Sequence, residues 1–305
     1  MSRRREVSGR AFTAGPTLLF CPADRPERYA KAAERADAVI LDLEDAVAEP
    51  DKPAARDHLR AHLDTLAGPE GSDLRARTVV RISPADTEDF HADVALLAGS
   101  PVELVMLAKT ESAQDVAAAA EALPGVGLIP LCETAAGATR AEQIASHPQV
   151  VAVMWGAEDL IASLGGSSSR RADGRYRDVA RQARAQVLLA AATHGAAGID
   201  AIYADIDDVT GLAEEAADAV ASGWAAKACI HPSQVPLIRQ AYAPTAEELE
   251  HARAVLAQVP HHGGAFRFRG AMVDLPLIRH AEQVVRRAEA ASAASTEPVT
   301  RQRAR

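Results

Sequence analysis

Cysteine is scarce. The 305 residues hold three, Cys21, Cys132 and Cys229, far apart and without metal-ligand spacing. An odd number inside apolar runs excludes a disulfide framework and reads as reduced, buried thiols in a cytoplasmic protein. Long apolar runs are missing too: none approaches about 18 residues, which excludes a transmembrane helix and any membrane role built on one. Positive charge is in short supply, with 33 Lys and Arg against 42 Asp and Glu and a formal net charge of -9. That balance excludes non-specific nucleic-acid binding as a property of the whole surface. The first fourteen residues carry Arg3, Arg4, Arg5 and Arg10 but no apolar stretch, so they are not a secretory signal. A transit peptide is the other option; Glu6 and the shortness favour a plain disordered tail over residues 1–15. Residues 291–305, rich in Ala, Ser, Thr and Arg, are expected to form a second one.

What is present is a large apolar fraction, 48% of residues, enough for one big domain with an appendage. Strand-like apolar runs alternate with amphipathic helical runs. The strand candidates are Thr17–Pro22, Ala38–Leu43, Thr78–Ile82, Leu104–Ala108, Gly127–Cys132, Val150–Trp155, Ala201–Ala204 and Ala226–Ile230. Helical stretches such as Glu27–Arg35, Pro53–Leu63, Ala113–Leu123, Arg177–Thr193 and Gly211–Ala221 lie between them. Near-continuous apolar strands separated by helices indicate a parallel sheet buried on both faces. Eight such units over about 240 residues predict a (β/α)8 TIM barrel spanning residues 16–240. A doubly wound sheet, the alternative, would show a glycine-rich first turn, and Cys21-Pro-Ala-Asp-Arg-Pro-Glu27 is not one. Beyond the barrel, Thr245 and Glu248 form a capping box ahead of Leu249–Val259, then a glycine-rich turn at 261–264 leads to a last helix ending near Ala290. This piece, 241–290, is too small to be expected to have an independent core, and reads as a helical lid over the barrel or over a neighbouring subunit.

Barrel chemistry lies at the C-terminal ends of the strands. Those ends carry Arg25, Asp42, Glu44, Asp45, Arg81, Lys109, Glu111, Glu133, Glu158, Asp159, Asp205 and His231. Glu133 and Asp159 end neighbouring strands, and two convergent carboxylates suit a divalent cation; the alternative is two helix-capping carboxylates. Asp45 and Glu111 also read as caps. Arg81 follows Val79-Val80 and needs an anion, either a nearby Asp or a substrate carboxylate. His231, before a proline, is either functional or bonded to backbone. The four arginines of Gly165–Asp178 either grip phosphates or line a solvated loop.

Several of these segments resemble one family. Leu18-Leu-Phe-Cys-Pro-Ala-Asp-Arg-Pro-Glu-Arg-Tyr-Ala-Lys31, Ala38-Val-Ile-Leu-Asp-Leu-Glu-Asp-Ala-Val47, Val80-Arg-Ile82, Glu133-Thr134, Gly156-Ala-Glu-Asp-Leu160 and Cys229-Ile-His-Pro-Ser-Gln234 are similar, in order and spacing, to citrate lyase β-subunit-like proteins of the HpcH/HpaI aldolase superfamily. The tract 165–178 and the ending Gly270-Ala-Met-Val-Asp-Leu-Pro276 resemble the stand-alone members, citramalyl-CoA or malyl-CoA lyase-like. The resemblance implies a Mg2+-dependent lyase, trimeric or hexameric, acting on an acyl-CoA and a 2-oxo acid. Carried over by position, Glu133 and Asp159 hold Mg2+ and Arg81 binds the substrate carboxylate or carbonyl. Phe20, Arg25 and Lys31 line the CoA site, with the two basic residues near its phosphates. Glu158, Ile230 and His231 border the substrate. Asp274 reaches a neighbouring subunit's site as acid/base group. One departure is Ala108, where relatives often have proline. The rival readings are citryl-CoA lyase or malate-synthase-like chemistry with thioester hydrolysis, a pyruvate-class aldolase without CoA, and an inactive acyl-CoA-binding subunit. Arg25 and Lys31 speak against the aldolase, and the intact set Arg81, Glu133, Asp159 and Asp274 against the inactive subunit.

Overall fold

The computed structural model describes residues 12–262 and 264–296. Eight parallel strands close a barrel in chain order. They are β1 (Thr17–Pro22), β2 (Ala38–Asp42), β3 (Thr78–Ile82), β4 (Leu104–Leu107), β5 (Gly127–Cys132), β6 (Ala152–Trp155), β7 (Ala197–Asp200) and β8 (Ala226–Cys229). Pairing of β1 with β8, Leu18 opposite Ala228, shuts the cylinder. One buried cluster takes residues from every strand at alternate positions, for example Leu18, Ile40, Val79, Met106, Ile129 and Met154. Side chains alternate sides along a strand, so these fill the interior and their neighbours face the helices. Two residues beyond Leu18, Ile40, Val79, Leu131 and Met154 on the same face come Phe20, Asp42, Arg81, Glu133 and Gly156. The barrel interior therefore changes from aliphatic to ionic at its C-terminal mouth.

Helix ends are set by local chemistry. Thr87, Ser112, Thr134 and Asp208 accept backbone N–H groups as N-caps. The helices Asp178–His194 and Val209–Ser222 stop at Gly195 (φ 74°) and Gly223 (φ 103°), left-handed positions that favour glycine. Among the described residues, the helices Ser72–Ala76, Glu88–Leu97, Ala135–Thr139, Ala141–Ala145 and Ala157–Ser163 were not marked by the sequence pattern. The seventh strand lies four residues earlier than the apolar run Ala201–Ala204 suggested. Gly198 hides it: a Cβ there would stand 2.9 Å from Leu188 Cδ1 and Trp224 Cε3, so the strand needs a residue of low strand propensity. Ala201 and Tyr203 are buried beyond the strand, which is why that run looked like one.

The chain divides into two compact units between Ile238 and Arg239. In the second, the capping box forms, with Glu248 Oε2 accepting from Thr245 N at 2.7 Å ahead of helix Ala246–Gln258. A hairpin follows, β9 (Phe266–Phe268) and β10 (Ala271–Val273), turning through Arg269 and Gly270, both at positive φ as a tight two-residue turn requires. Contrary to expectation this unit has a small core of its own, in which Ala252 and Val255 meet Phe266, Val273, Ala281 and Val284. Its last helix, Leu275–Thr296, passes the expected end near Ala290. At the other end, Phe12 and Ala14 pack against the barrel core rather than belonging to a tail. Residues 1–11 and 297–305, assigned to tails from sequence, lie outside the described residues. Among the described residues no helix is long and apolar enough to cross a membrane.

Candidate active site

The mouth of the barrel is built on a buried ion cluster. Arg81 on β3 meets Asp42 on β2 in a bidentate pair, Nε to Oδ1 at 2.6 Å and Nη2 to Oδ2 at 2.7 Å. Its Nη1 lies 3.1 Å from Glu44 Oε2, and its guanidinium stands 5.0 Å from the centre of the Phe20 ring. Burial works against the charge on Arg81, but Asp42 outweighs it and the pKa is raised. Asp42 is therefore the anion Arg81 needs, and Phe20 is its stacking partner.

Glu133 is 2% exposed. Its Oε1 accepts the backbone N–H of Lys109 at 3.0 Å. Burial first, and the neighbouring Asp159 charge second, push its pKa up to about 8 against the pull of Arg81. Asp159, in the first turn of helix Ala157–Ser163, has a side chain 40% exposed. Gly156 makes room for Glu133, since a Cβ at 156 would stand 2.8 Å from both Glu133 Cβ and Oε2. A divalent cation suits this pair: two hard oxygen ligands, one of them desolvated, repel each other, and a cation between them offsets that repulsion. Among the described residues no group of three or more His, Cys, Asp or Glu side chains could hold a metal. Two carboxylates with the remaining positions left to water and substrate oxygens is the ligand habit of Mg2+.

Lys109 joins the parts. It is held at φ 44°, a strained left-handed conformation for a residue with a side chain. From there its N–H reaches Glu133 while Nζ pairs with Glu44, with Asp45 at 2.7 Å and, at 3.8 Å, with Asp159. Burial lowers the Lys109 pKa, but bonds to Asp45 and Glu44 raise it overall. Asp45 is thus an ion-pair partner and not a helix cap. The cap after β4 is Ser112 with Asp115, so Glu111 is not one either. Lys109, Glu44 and Gly156 carry the geometry of the site, yet only the position of the first two at strand ends hinted at it.

The other expected residues fall as follows. Arg25 precedes helix Pro26–Arg35 and is exposed, as is Lys31 within it; Arg25 Nη2 lies 3.5 Å from Asp24. Glu158 Oε1 accepts from Ser169 Oγ at 2.7 Å. Ile230 and His231 follow β8, and Gln234 Oε1 accepts both their N–H groups. His231 Nδ1 bonds Ser233 Oγ at 2.7 Å, so one ring nitrogen is engaged locally. Asp205, once β7 is placed correctly, accepts from the N–H groups of Asp207 and Asp208 in a turn. Asp274, in the second unit, caps helix Leu275–Thr296 through Leu277 N at 3.4 Å. The arginines of the 165–178 tract are paired with local acids and carbonyls: Arg170 with Glu215, Arg171 with Asp178, Arg175 with Asp173 and Arg177 with Ser168 O. Cys21, Cys132 and Cys229 are buried and free, and burial pushes the Cys21 thiol up to about 11.

The sequence matches the HpcH/HpaI aldolase/citrate lyase family model over residues 16–232. A citrate lyase subunit beta-like protein of Mycobacterium tuberculosis is 56% identical over 275 residues, covering 90% of this chain and 96% of the relative. A (3S)-malyl-CoA thioesterase of Cereibacter sphaeroides is 35% identical over 282 residues, covering 91% and 95%. The crystal structure of CitE from M. tuberculosis in complex with magnesium, acetoacetate and coenzyme A superimposes with a TM-score of 0.80 at 55% identity, covering 91% of this chain and 99% of that one. With the closed barrel and its ionic mouth, these likenesses show that the chain belongs to the HpcH/HpaI aldolase/citrate lyase family and is a lyase of that family.

Proposed function

We propose that the protein is a Mg2+-dependent lyase that cleaves, or in reverse forms, a 3-hydroxyacyl-CoA between its second and third carbons. The products are acetyl-CoA and a 2-oxo acid or ketone-type acid, with citramalyl-CoA, malyl-CoA or 3-hydroxy-3-methylglutaryl-CoA as the substrate. The observation that carries this reading is the desolvated Glu133 beside Asp159, with Arg81 on the same inward face. The magnesium, acetoacetate and coenzyme A named for the M. tuberculosis CitE complex match what that mouth would hold.

Glu133 and Asp159 would hold the metal, which when bound supplies positive charge to a carboxylate and its neighbouring oxygen. Arg81 adds a fixed donor where negative charge grows on oxygen. Asp42 engages Nε and Nη2 and Glu44 engages Nη1, and a guanidinium has N–H groups beyond these for a substrate oxygen. In cleavage a base takes the hydroxyl proton, a carbonyl forms, and the acetyl-CoA enolate leaves and is protonated. With Glu133 and Asp159 holding the metal, and Asp42, Glu44 and Asp45 paired with Arg81 and Lys109, proton transfer would fall to Asp274, which a neighbouring copy would supply in a homotrimer or hexamer. Arg25 and Lys31 would meet the CoA phosphates beside Phe20, and Glu158, Ile230 and His231 would border the acyl chain. Three buried, free cysteines support a reducing, cytoplasmic setting.

A second reading, thioester hydrolysis coupled to the same chemistry, is favoured by the 35% identity to a (3S)-malyl-CoA thioesterase. Incubation with citramalyl-CoA, malyl-CoA, 3-hydroxy-3-methylglutaryl-CoA and citryl-CoA, with Mg2+ or with EDTA, separates the options. A lyase gives acetyl-CoA from at least one of the first three, a citryl-CoA lyase only from the last, and an inactive subunit from none.

A further inference from the structure

In the basic tract after helix Ala157–Ser163, Arg171, Arg175 and Arg177 are exposed, and Arg170 alone of the four arginines turns inward. Ser169 is 2% exposed, and its hydroxyl donates to Glu158 Oε1 at 2.7 Å. The next residue, Arg170, lies between two rings, 3.9 Å from the centre of Tyr176 and 4.5 Å from that of Tyr203. Its Nη1 is 2.8 Å from Glu215 Oε2 and also donates to Gly174 O at 3.0 Å. The base of the loop is closed by a bridge between Arg170 and Tyr176 and by Arg177 N donating to Ser169 O at 2.8 Å.

Behind Arg170 runs a chain of buried charge. Glu215 Oε1 accepts from Lys227 Nζ at 2.8 Å; Lys227, 0% exposed, also donates to Asp200 Oδ2 at 3.1 Å. Asp200 in turn accepts from Trp155 Nε1 at 2.7 Å and Arg184 Nε at 2.9 Å. Buried ion pairs of this kind add little stability over apolar packing of the same volume, but they admit few arrangements. Here the chain begins on β7 and β8 and ends on Arg170, beside the serine that holds Glu158.

We infer that Arg170 is a positioning residue. Its guanidinium locks Ser169 into the place from which the hydroxyl fixes Glu158, and with it the first turn that carries Asp159. The inference rests on the proposed role of Asp159 in metal binding. Arginine is required because a flat cation can stack between two rings and pair with a carboxylate at once; lysine keeps the charge and loses the stack.

The test compares Ser169→Ala, Arg170→Lys and the control Arg171→Ala, whose partner Asp178 is solvent-exposed. Two readouts are taken on each full-length protein without substrate: amide hydrogen exchange and Mg2+ titration. Ser169→Ala and Arg170→Lys are expected to raise exchange across residues 157–163 while β4 exchanges as in wild type. They should also weaken Mg2+ at least about tenfold, the usual effect of removing a partner behind a metal ligand. Arg171→Ala should change neither. If Arg170→Lys does not fold, Ser169→Ala decides the matter alone. Wild-type exchange and a wild-type Mg2+ titration in folded Ser169→Ala overturn the inference. Absence of Mg2+ binding in the wild-type protein contradicts the proposed metal site instead, and exchange over 157–163 then decides the positioning role by itself.

Discussion

Gly156 and Glu133 are matched by shape: a β-carbon on residue 156 would lie 2.8 Å from both Cβ and Oε2 of Glu133. Gly156 has φ -125°, an ordinary extended value, so the backbone does not demand glycine there. Only the carboxylate does. Gly156→Ala should therefore leave the barrel folded and push Glu133 aside. The expected outcome is a wild-type circular dichroism spectrum with Mg2+ binding weakened at least about tenfold, the scale of other changes beside metal ligands. Unaltered Mg2+ titration would show that Glu133 is not a ligand; Glu133→Ala and Asp159→Ala should abolish binding in the same assay.

The Glu133 carboxyl, pushed up to about 8 by burial and by Asp159, sets a pH dependence. Its folded pKa lies above the ordinary carboxylate value, so this group stabilises the metal-free fold at low pH and loses that contribution as pH rises toward 8. If Glu133 is a metal ligand as proposed, the metal must displace the proton. Apparent Mg2+ affinity should rise by up to about tenfold per pH unit below 8 and level off above it. Calorimetry in buffers of different ionisation enthalpy should detect about one proton released per Mg2+ at pH 7. A flat affinity between pH 6 and 9 would contradict the assignment.

Arg81 has a structural duty and, in the proposed mechanism, a chemical one. Asp42→Ala leaves the guanidinium buried with Glu44 as its remaining short-range partner, and should cost about 3–5 kcal/mol in urea unfolding. Arg81→Lys keeps a cation but loses the bidentate bond, and kcat should fall by about 10²–10³. A kcat within twofold of wild type would remove Arg81 from the chemistry.

Asp274→Asn isolates the proposed acid/base group. Asparagine is as good an N-cap as aspartate, so helix Leu275–Thr296 should persist. Turnover should drop steeply, with Mg2+ and acyl-CoA binding close to wild type. Wild-type turnover in this variant would rule out the role.

The barrel was legible because β1, β3 and β5 are apolar runs with clean edges; their boundaries, Thr17–Pro22, Thr78–Ile82 and Gly127–Cys132, agree with the sequence pattern. The seventh strand was not, because Gly198 is chosen for its contact with Leu188 and Trp224 and not for strand propensity. At the site, Glu133, Asp159 and Arg81 could be picked out as charges at the ends of buried strands. Lys109 stood in the same set, but its role was not legible, since it depends on a left-handed backbone that brings both its N–H and its ammonium onto carboxylates. The contacts of Ser169 and Gly156 left no sequence signal either: one acts through a single hydroxyl and the other by lacking a side chain. Pairing across 65 residues, as between Glu44 and Lys109, leaves no local signature.

The most direct measurement follows the products of a 3-hydroxyacyl-CoA, malyl-CoA or citramalyl-CoA first, by mass spectrometry with Mg2+ and with EDTA. Mg2+-dependent carbon–carbon cleavage predicts acetyl-CoA and the 2-oxo acid in equal amounts from the wild-type protein, and neither with EDTA nor from Glu133→Ala. Free CoA appearing without acetyl-CoA, or equal turnover in EDTA, would contradict it.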